Sequence, residues 1–276
     1  FPLHGWLPDA YRESSPEVAA VLSGVISKAA TYGLLRIALP KFPDPVDDLR
    51  ILVLVVAAVG LVYGSLLAFR APDVRGVIAY SSLAQLGLIT LGIFAGNDLG
   101  LDGAVLHMVN HGLISAALFL LAGAIERRTT TGDFARLGGM ARGRPALATV
   151  LMVTGIIALA VPGSAAFAGE FLILAGVFEE GWAWAVVGAG AIVLAAMYML
   201  RMISAVLHER PGITVSERAL DLRPAELGVI VPLVACLLAL SAWPAAISDR
   251  SFPADRVDAF LTSTRSASGV PAEEQL

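Results

Sequence analysis

Charge, cysteine and histidine are the scarce components of this chain. Asp, Glu, Lys and Arg make up only 15% of its residues, against about 25% in a typical soluble domain. Hydrophobic residues reach 57% and mean hydropathy is +0.77. Together these exclude an ordinary soluble domain and indicate an all-α integral membrane protein. A net charge of −4 offers no basic patch for nucleic acid. The single cysteine, Cys236, excludes an internal disulfide, a Cys-ligated iron–sulfur cluster and a Cys-based structural zinc site. It lies in an apolar segment and reads as a small packing residue. Nucleophile triads, glycine-rich phosphate loops and haem-ligand pairs have no counterpart here. Gly188-Ala189-Gly190 falls inside an apolar helix and reads as a close-packing face. The chain opens Phe1-Pro2-Leu3, with neither Met nor a signal peptide, so we expect it to be the C-terminal part of a longer protein.

Apolar runs of about 20 residues are what the chain has in abundance, and that is the length needed to cross a bilayer as helix. They cover residues 17–39, 51–69, 76–95, 103–125, 147–178, 183–207 and 225–247. The 147–178 run is interrupted by Pro162-Gly163, so a broken helix is expected there. Residues 1–15 are amphipathic, with His4, Trp6 and Tyr11, and read as the end of a further broken helix. The cations fall on two sides. Arg70, Arg75, Arg127, Arg128, Arg136, Arg142, Arg144, Arg210, Arg218 and Arg223 lie on one side, with Lys41 and Arg50 on the other. The arginine-rich side is expected to be cytoplasmic, which leaves the tail after Ala245 outside, in the periplasm or the equivalent space.

Ionisable residues inside these runs carry the functional argument. Glu170 is the sole ionisable group between Leu147 and Phe178. A carboxylate at that depth costs several kcal/mol, so it faces a bundle interior and marks an ion path. The broken backbone beside it is tolerated only where it is buried in protein or lines a watery cavity. Lys28 stands midway along the first run, more than two turns from either end. It is a candidate for reversible protonation beside a carboxylate, the alternative being a permanent structural ion pair. His107 and His111 share one helix face, and imidazole passes protons between its two nitrogens. His111, followed by Gly112, is the better relay candidate; packing with a hydrogen bond is an equal reading of His107. A zinc site would need a third ligand, and none is nearby. Gln85 can donate and accept, and with Ser81 and Ser82 could hold waters, although interhelical hydrogen bonding suits the serines better. Arg201, Arg36 and Glu126 lie near helix ends, where snorkelling or solvent suffices.

Several motifs resemble one family. Pro2-Leu3-His4-Gly5-Trp6-Leu7-Pro8-Asp9-Ala10, Ser27-Lys28-Ala29-Ala30-Thr31-Tyr32-Gly33 and Val77-Ile78-Ala79-Tyr80-Ser81-Ser82 are similar to the antiporter-like subunits of respiratory complex I. So are His111-Gly112-Leu113-Ile114-Ser115-Ala116-Ala117-Leu118-Phe119 and the stretch from Pro162-Gly163 through Gly169-Glu170-Phe171. Glu170 and the Leu137-Gly138-Gly139-Met140 loop resemble the M-type members, since the sister L and N types carry lysine at the glutamate position.

The resemblance implies an inverted-repeat fold, of which this chain would supply the second half. Residues 1–16 would end a truncated broken helix, 17–210 would form the antiporter-like repeat, and 211–276 would hold the final helix and a polar tail. It implies proton translocation coupled to NADH:quinone oxidoreduction, with Lys28 as the central lysine, His111 as a relay and Glu170 at the end of the half-channel. Family members often carry histidine where Gln85 stands; glutamine orders water but does not titrate, and His107 stands where a neutral residue is common. The resemblance places NADH, FMN, iron–sulfur clusters and quinone in other subunits, with no complete catalytic site and no metal in this chain. It also implies L- and N-type membrane neighbours. A subunit of a multi-subunit Na+/H+ antiporter, a hydrogenase-linked membrane subunit and a non-transporting scaffold are the other readings.

Overall fold

The computed structural model describes residues 3–215 and 220–251, so the expected tail beyond 251 lies outside the described residues. Helix α1 spans Trp6–Glu13 and α2 spans Pro16–Lys41. Long helices follow over Pro43–Arg70 (α3), Val74–Phe94 (α4) and Asp98–Thr129 (α5). The broken unit consists of α6, Pro145–Ala158, and α7, Ala165–Glu180. Then come α8 over Trp182–Leu207, α9 over Pro224–Ala242 and the short α10 over Ala245–Ser251. Among the described residues, six helices are long and apolar enough to cross a membrane: α2, α3, α4, α5, α8 and α9. The α6–α7 unit is the seventh candidate crossing.

Helices α4 and α5 start ahead of their apolar runs, at side-chain caps. Asp73 accepts from Gly76 N to start α4, and Asn97 accepts from Gly100 N to start α5. Pro43 and Pro145 occupy first-turn positions, where a missing N–H costs nothing. The last apolar run is shorter than the expected 225–247. Trp243 precedes Pro244, whose ring pushes Trp243 out of the helical region to φ −144, ψ 73.

Helices α4 and α5 form the centre, buried along most of their length, with α8 and α9 mostly exposed. Two apolar clusters stack along the bundle. One, built around Tyr11, Ile78, Phe119, Ile125 and Leu207, fills the arginine-rich end. The other, around Leu54, Leu88, Ile93, Ile173 and Val177, fills the opposite end. Ion pairs fasten the first end: Arg75 reaches both oxygens of Glu126 at 2.7 Å and also donates to the Arg12 and Ser14 carbonyls. Glu126 therefore has a structural role that its place near a helix end does not suggest. Arg127 and Arg128 converge on Glu226, tying α9 to α5. At the other end Arg50 caps the Phe94 and Ala95 carbonyls and pairs with Glu180.

Three further expectations are corrected. Arg201 does not merely snorkel: it donates to the Phe69 and Ala71 carbonyls and lies over the Phe134 ring, closing the end of α3. Cys236 is exposed on α9 and packs into no core. Of the expected close-packing pair, Gly188 meets Leu174, whereas a side chain at Gly190 would touch nothing within 4 Å.

The contact of α7 with α5 is set at Gly169. A Cβ there would lie 2.8 Å from His107 Cβ and 3.0 Å from its Cα and N. Gly169→Ala should therefore lower stability by about 1–3 kcal/mol through overpacking. Gly190→Ala should be neutral or stabilising by up to about 1 kcal/mol. Thermal unfolding of the purified protein in detergent compares the two, and equal midpoints would refute the close approach.

Asp221 caps α6 from 75 residues away, accepting from Ala146 N at 2.8 Å and Leu147 N at 2.9 Å, and also from Leu222 N. Burial pushes its carboxyl up, but these backbone N–H groups and Arg128 outweigh that and hold it below the usual aspartate value. The stabilisation is full above the unfolded value, about pH 3.9, and is lost as pH falls through the lowered folded value. Asp221→Ala should cost about 1 kcal/mol at neutral pH. The gap to the native protein should close on acidification, as followed by thermal unfolding across pH; a gap that widens in acid would contradict the cap.

Candidate functional site

Four of the five sequence-predicted residues meet where the two apolar clusters adjoin. Helix α5 presents His107, Asn110 and His111 on one face, α4 brings Gln85 against it, and α7 supplies Glu170. All are buried: Glu170 is 3% exposed, His107 1% and Gln85 7%. Gln85 Nε2 donates to Glu170 Oε1 at 3.1 Å, and Gln85 Oε1 lies 2.9 Å from His107 Nε2. The amide thus bridges the carboxylate and the imidazole, which are themselves 3.9 Å apart. His111 stacks under His107, with ring centroids 6.0 Å apart and planes inclined by 22°. A cavity of about 20 Å³ is lined by Ser81, Gln85, His107, His111, Glu170 and Tyr198, room for one water.

The break that frames Glu170 is built from backbone chemistry. Ala160 turns to φ 52 and Gly163 to φ 92, left-handed values that glycine accepts freely and alanine only at a cost of about 1–2 kcal/mol. Ser164 then caps α7 by accepting from Phe167 N. Two side chains pin the first residue after the break. Ser241 Oγ accepts from Ala165 N at 2.8 Å, and Asn110 Nδ2 donates to Ala165 O at 2.7 Å.

Lys28 occupies a separate niche beside this row. Helix α2 widens into a π-segment at Leu22–Ile26, a distortion frequent at functional sites. There the Ser23 carbonyl accepts from Lys28 Nζ at 2.5 Å and from Ser27 Oγ at 2.7 Å. Among the described residues no carboxylate lies within 4.0 Å of Lys28, where a neighbouring one was expected. The Ser23 carbonyl dipole faces the ammonium there. Lys28 approaches α5 because Gly24 and Gly112 let the two backbones touch, a Cβ on Gly112 falling 2.7 Å from Gly24 O and 3.9 Å from Lys28 Cε.

With Gln85 Oε1 as acceptor, His107 Nε2 carries the proton of that contact, and Glu170 Oε1 accepts the amide N–H, a role open both to the carboxylate and to the acid protonated on Oε2. Reversing the amide pairs it instead with a protonated Glu170 and a His107 whose proton sits on Nδ1. Buried His107 Nδ1 and His111 Nε2 have no hydrogen-bond partner. Among the described residues no group of three His, Cys, Asp or Glu could hold a metal.

Sequence reasoning missed Asn110, Ser241 and Tyr198. Asn110 had a signal, a carboxamide in an apolar helix on the histidine face; Ser241 had none, since its partner is a backbone group across the bundle. Ser82 joins helices by its 3.0 Å contact with Ser23 Oγ, as interhelical bonding predicts, whereas Ser81 bonds back to Ile78 O.

Known proteins share both the sequence and the fold. The family described as NADH:quinone oxidoreductase/Mrp antiporter, transmembrane, matches residues 1–197. NADH-quinone oxidoreductase subunit M of Mycobacterium tuberculosis is 39% identical over 254 residues, 92% of this chain and 46% of that protein. The chain spans about half the length of the curated relatives it matches. A chain of respiratory complex I from Thermus thermophilus superposes with a TM-score of 0.85 at 29% identity, covering 98% of this chain and 56% of that one. A chain of the Mrp complex from a Dietzia species shares the fold, with a TM-score of 0.80 at 24% identity over 94% of this chain and 58% of its own. With its broken helix, its buried polar row and this match over most of its length, the chain is a multi-pass membrane protein belonging to the NADH:quinone oxidoreductase/Mrp antiporter transmembrane family.

Proposed function

We propose that this chain forms part of a proton-translocating, M-type subunit of an NADH-quinone oxidoreductase. The observation that carries the reading is the buried contact of Glu170, Gln85 and His107 beside a broken helix. It offers neighbouring sites whose relative proton affinities need change by only a few units, each worth about 1.4 kcal/mol. In this reading Lys28 takes and gives a proton, His111 and His107 pass it on, Gln85 orients the exchange, and Glu170 releases it towards the outer face. Electron transfer in other subunits, which would hold NADH, FMN, iron–sulfur clusters and quinone, would drive the changes. L- and N-type membrane subunits would be its neighbours in a bacterial inner membrane, with the tail after Ala245 outside. Residues 17–210 would form the antiporter-like repeat, 1–16 the end of a broken helix and 211–276 the last helix and tail. The family also takes in Mrp antiporters, the principal rival; the subunit M relatives support the oxidoreductase reading because their sequences are more similar.

In vesicles holding the assembled complex, Glu170→Gln and Lys28→Ala should each lower proton pumping per NADH oxidised, with assembly unchanged. Glutamine keeps the shape and one acceptor of Glu170 but cannot take a proton. Normal pumping by both variants would remove these groups from the path and favour a scaffold.

A further inference from the structure

Ala165, the first residue of α7, is fully buried and is gripped at both its N–H and its C=O by other helices. Ser241 of α9 spends its own proton on Leu237 O at 2.8 Å, so its oxygen accepts from Ala165 N, also at 2.8 Å. Asn110 of α5 donates from Nδ2 to Ala165 O at 2.7 Å. A carbonyl only accepts, so the Asn110 amide cannot turn over without losing that bond. Its Oδ1 is thereby left buried with no hydrogen-bond partner among the described residues. For stability alone this is a poor use of a buried site. The carbonyl of a helix's first residue already accepts within its own helix, and a stranded Oδ1 is costly. What the amide supplies is a fixed position for Ala165.

That position matters because the clamp closes a ring with the polar row. Asn110 and His107 are three residues apart on one face of α5. His107 Nε2 lies 2.9 Å from Gln85 Oε1, and Gln85 Nε2 donates to Glu170 Oε1 at 3.1 Å. Glu170 in turn follows Ala165 by five residues on α7. Between the two grips Gly169 lies against the His107 backbone, where an added Cβ would fall 3.0 Å from His107 N. Helix α7 is therefore tied to α5 twice over residues 165–170, directly by Asn110 and through Gln85 at Glu170. Just before the clamp, Ala160 turns to φ 52, a conformation that persists only where the surroundings over-determine it.

We propose that Asn110 and Ser241 are positioning residues for Glu170, which by fixing Ala165 hold the α7 carboxyl within bonding distance of Gln85. The inference rests on Glu170 carrying a proton in the pumping cycle. No proton passes through Asn110 or Ser241; they act through the backbone of α7. A slip of α7 by about 1 Å would carry the 3.1 Å contact beyond hydrogen-bonding range, and misplacement of that size costs a reacting group up to about 100-fold in rate.

The test uses the assembled NADH-quinone oxidoreductase in vesicles, with NADH-driven proton pumping measured per assembled complex. Infrared difference spectra of the same samples report Glu170 as the carboxyl or carboxylate absorption that Glu170→Gln removes. Asn110→Leu keeps the branched shape of the side chain and removes only the amide. Ser241→Ala releases the other side of Ala165, and it decides the matter should Asn110→Leu fail to assemble. Each should slow pumping about tenfold, a barrier change of about 1.4 kcal/mol, and shift the Glu170 absorption. Native pumping and an unmoved absorption in both variants, alongside a defective Glu170→Gln, would overturn the positioning role and leave that of Glu170 standing. Slowed pumping with an unmoved absorption would overturn it too, because the loss would not run through Glu170. So would an equal shift in Asp221→Ala, which removes a cap outside the ring. Normal pumping by Glu170→Gln would instead overturn the proton-path reading, and the positioning role with it.

Discussion

Glu170 sits in this interior on one side-chain hydrogen bond, the Gln85 amide N–H to its Oε1, and that amide is held between α4, α5 and α7. An isolated carboxylate in an apolar interior would cost far more than the fold's whole margin of stability. Gln85 supplies a donor at 3.1 Å and anchors its own oxygen on His107 at 2.9 Å, so neither end of the amide is wasted. The dependence runs in both directions. Without Glu170 the amide would lose an acceptor, and without His107 its oxygen would be stranded, so the three residues stand or fall together. They lie on α4, α5 and α7, and α5 packs extensively against both of the others.

Those contacts require missing side chains as much as present ones. Gly169 lets α7 lie directly on the backbone of His107, and Gly24 with Gly112 lets α2 meet α5 beside Lys28. In lipid, helices gain little from hydrophobicity when they associate, and small residues that permit close approach take over that work. Here the small residues sit next to the ionisable ones, so tight packing and the polar row share the same few helical turns. A methyl group at Gly169 would separate the bridge partners before it disturbed either apolar cluster.

The crossings were legible in the sequence because each needs a long apolar run, and runs survive without knowledge of their neighbours. Pro162-Gly163 announced the break, and Glu170, Lys28 and the histidine pair announced themselves as charges or imidazoles in apolar surroundings. Helix ends were less legible: caps such as Asp221 on α6 act from 75 residues away. Polar partners were harder still. Lys28 was expected beside a carboxylate and instead rests on the Ser23 carbonyl, because the π-segment at Leu22–Ile26 is a backbone event with no side-chain signature. Arg201, Arg75 and Glu126 illustrate the same limit, since backbone carbonyls and distant partners satisfy charges that the sequence shows only as lying near helix ends.

The bridge also resolves a tension in the site. The proposed relay must hold its groups close enough to exchange protons yet prevent uncontrolled leakage between them, and a glutamine, which does not titrate, suits both needs. In the orientation seen, Glu170 accepts and His107 carries its proton on Nε2; with the amide reversed, a protonated Glu170 donates and His107 Nε2 accepts. Each orientation fits one distribution of protons and leaves the other unsatisfied in a dry interior, at a cost of about 1–3 kcal/mol for each stranded group. A histidine in place of Gln85 would offer its own site to the proton, whereas the amide offers only a choice between two neighbours. Its rotation therefore links the protonation of Glu170 to the tautomer of His107 while adding no third place for the proton to rest.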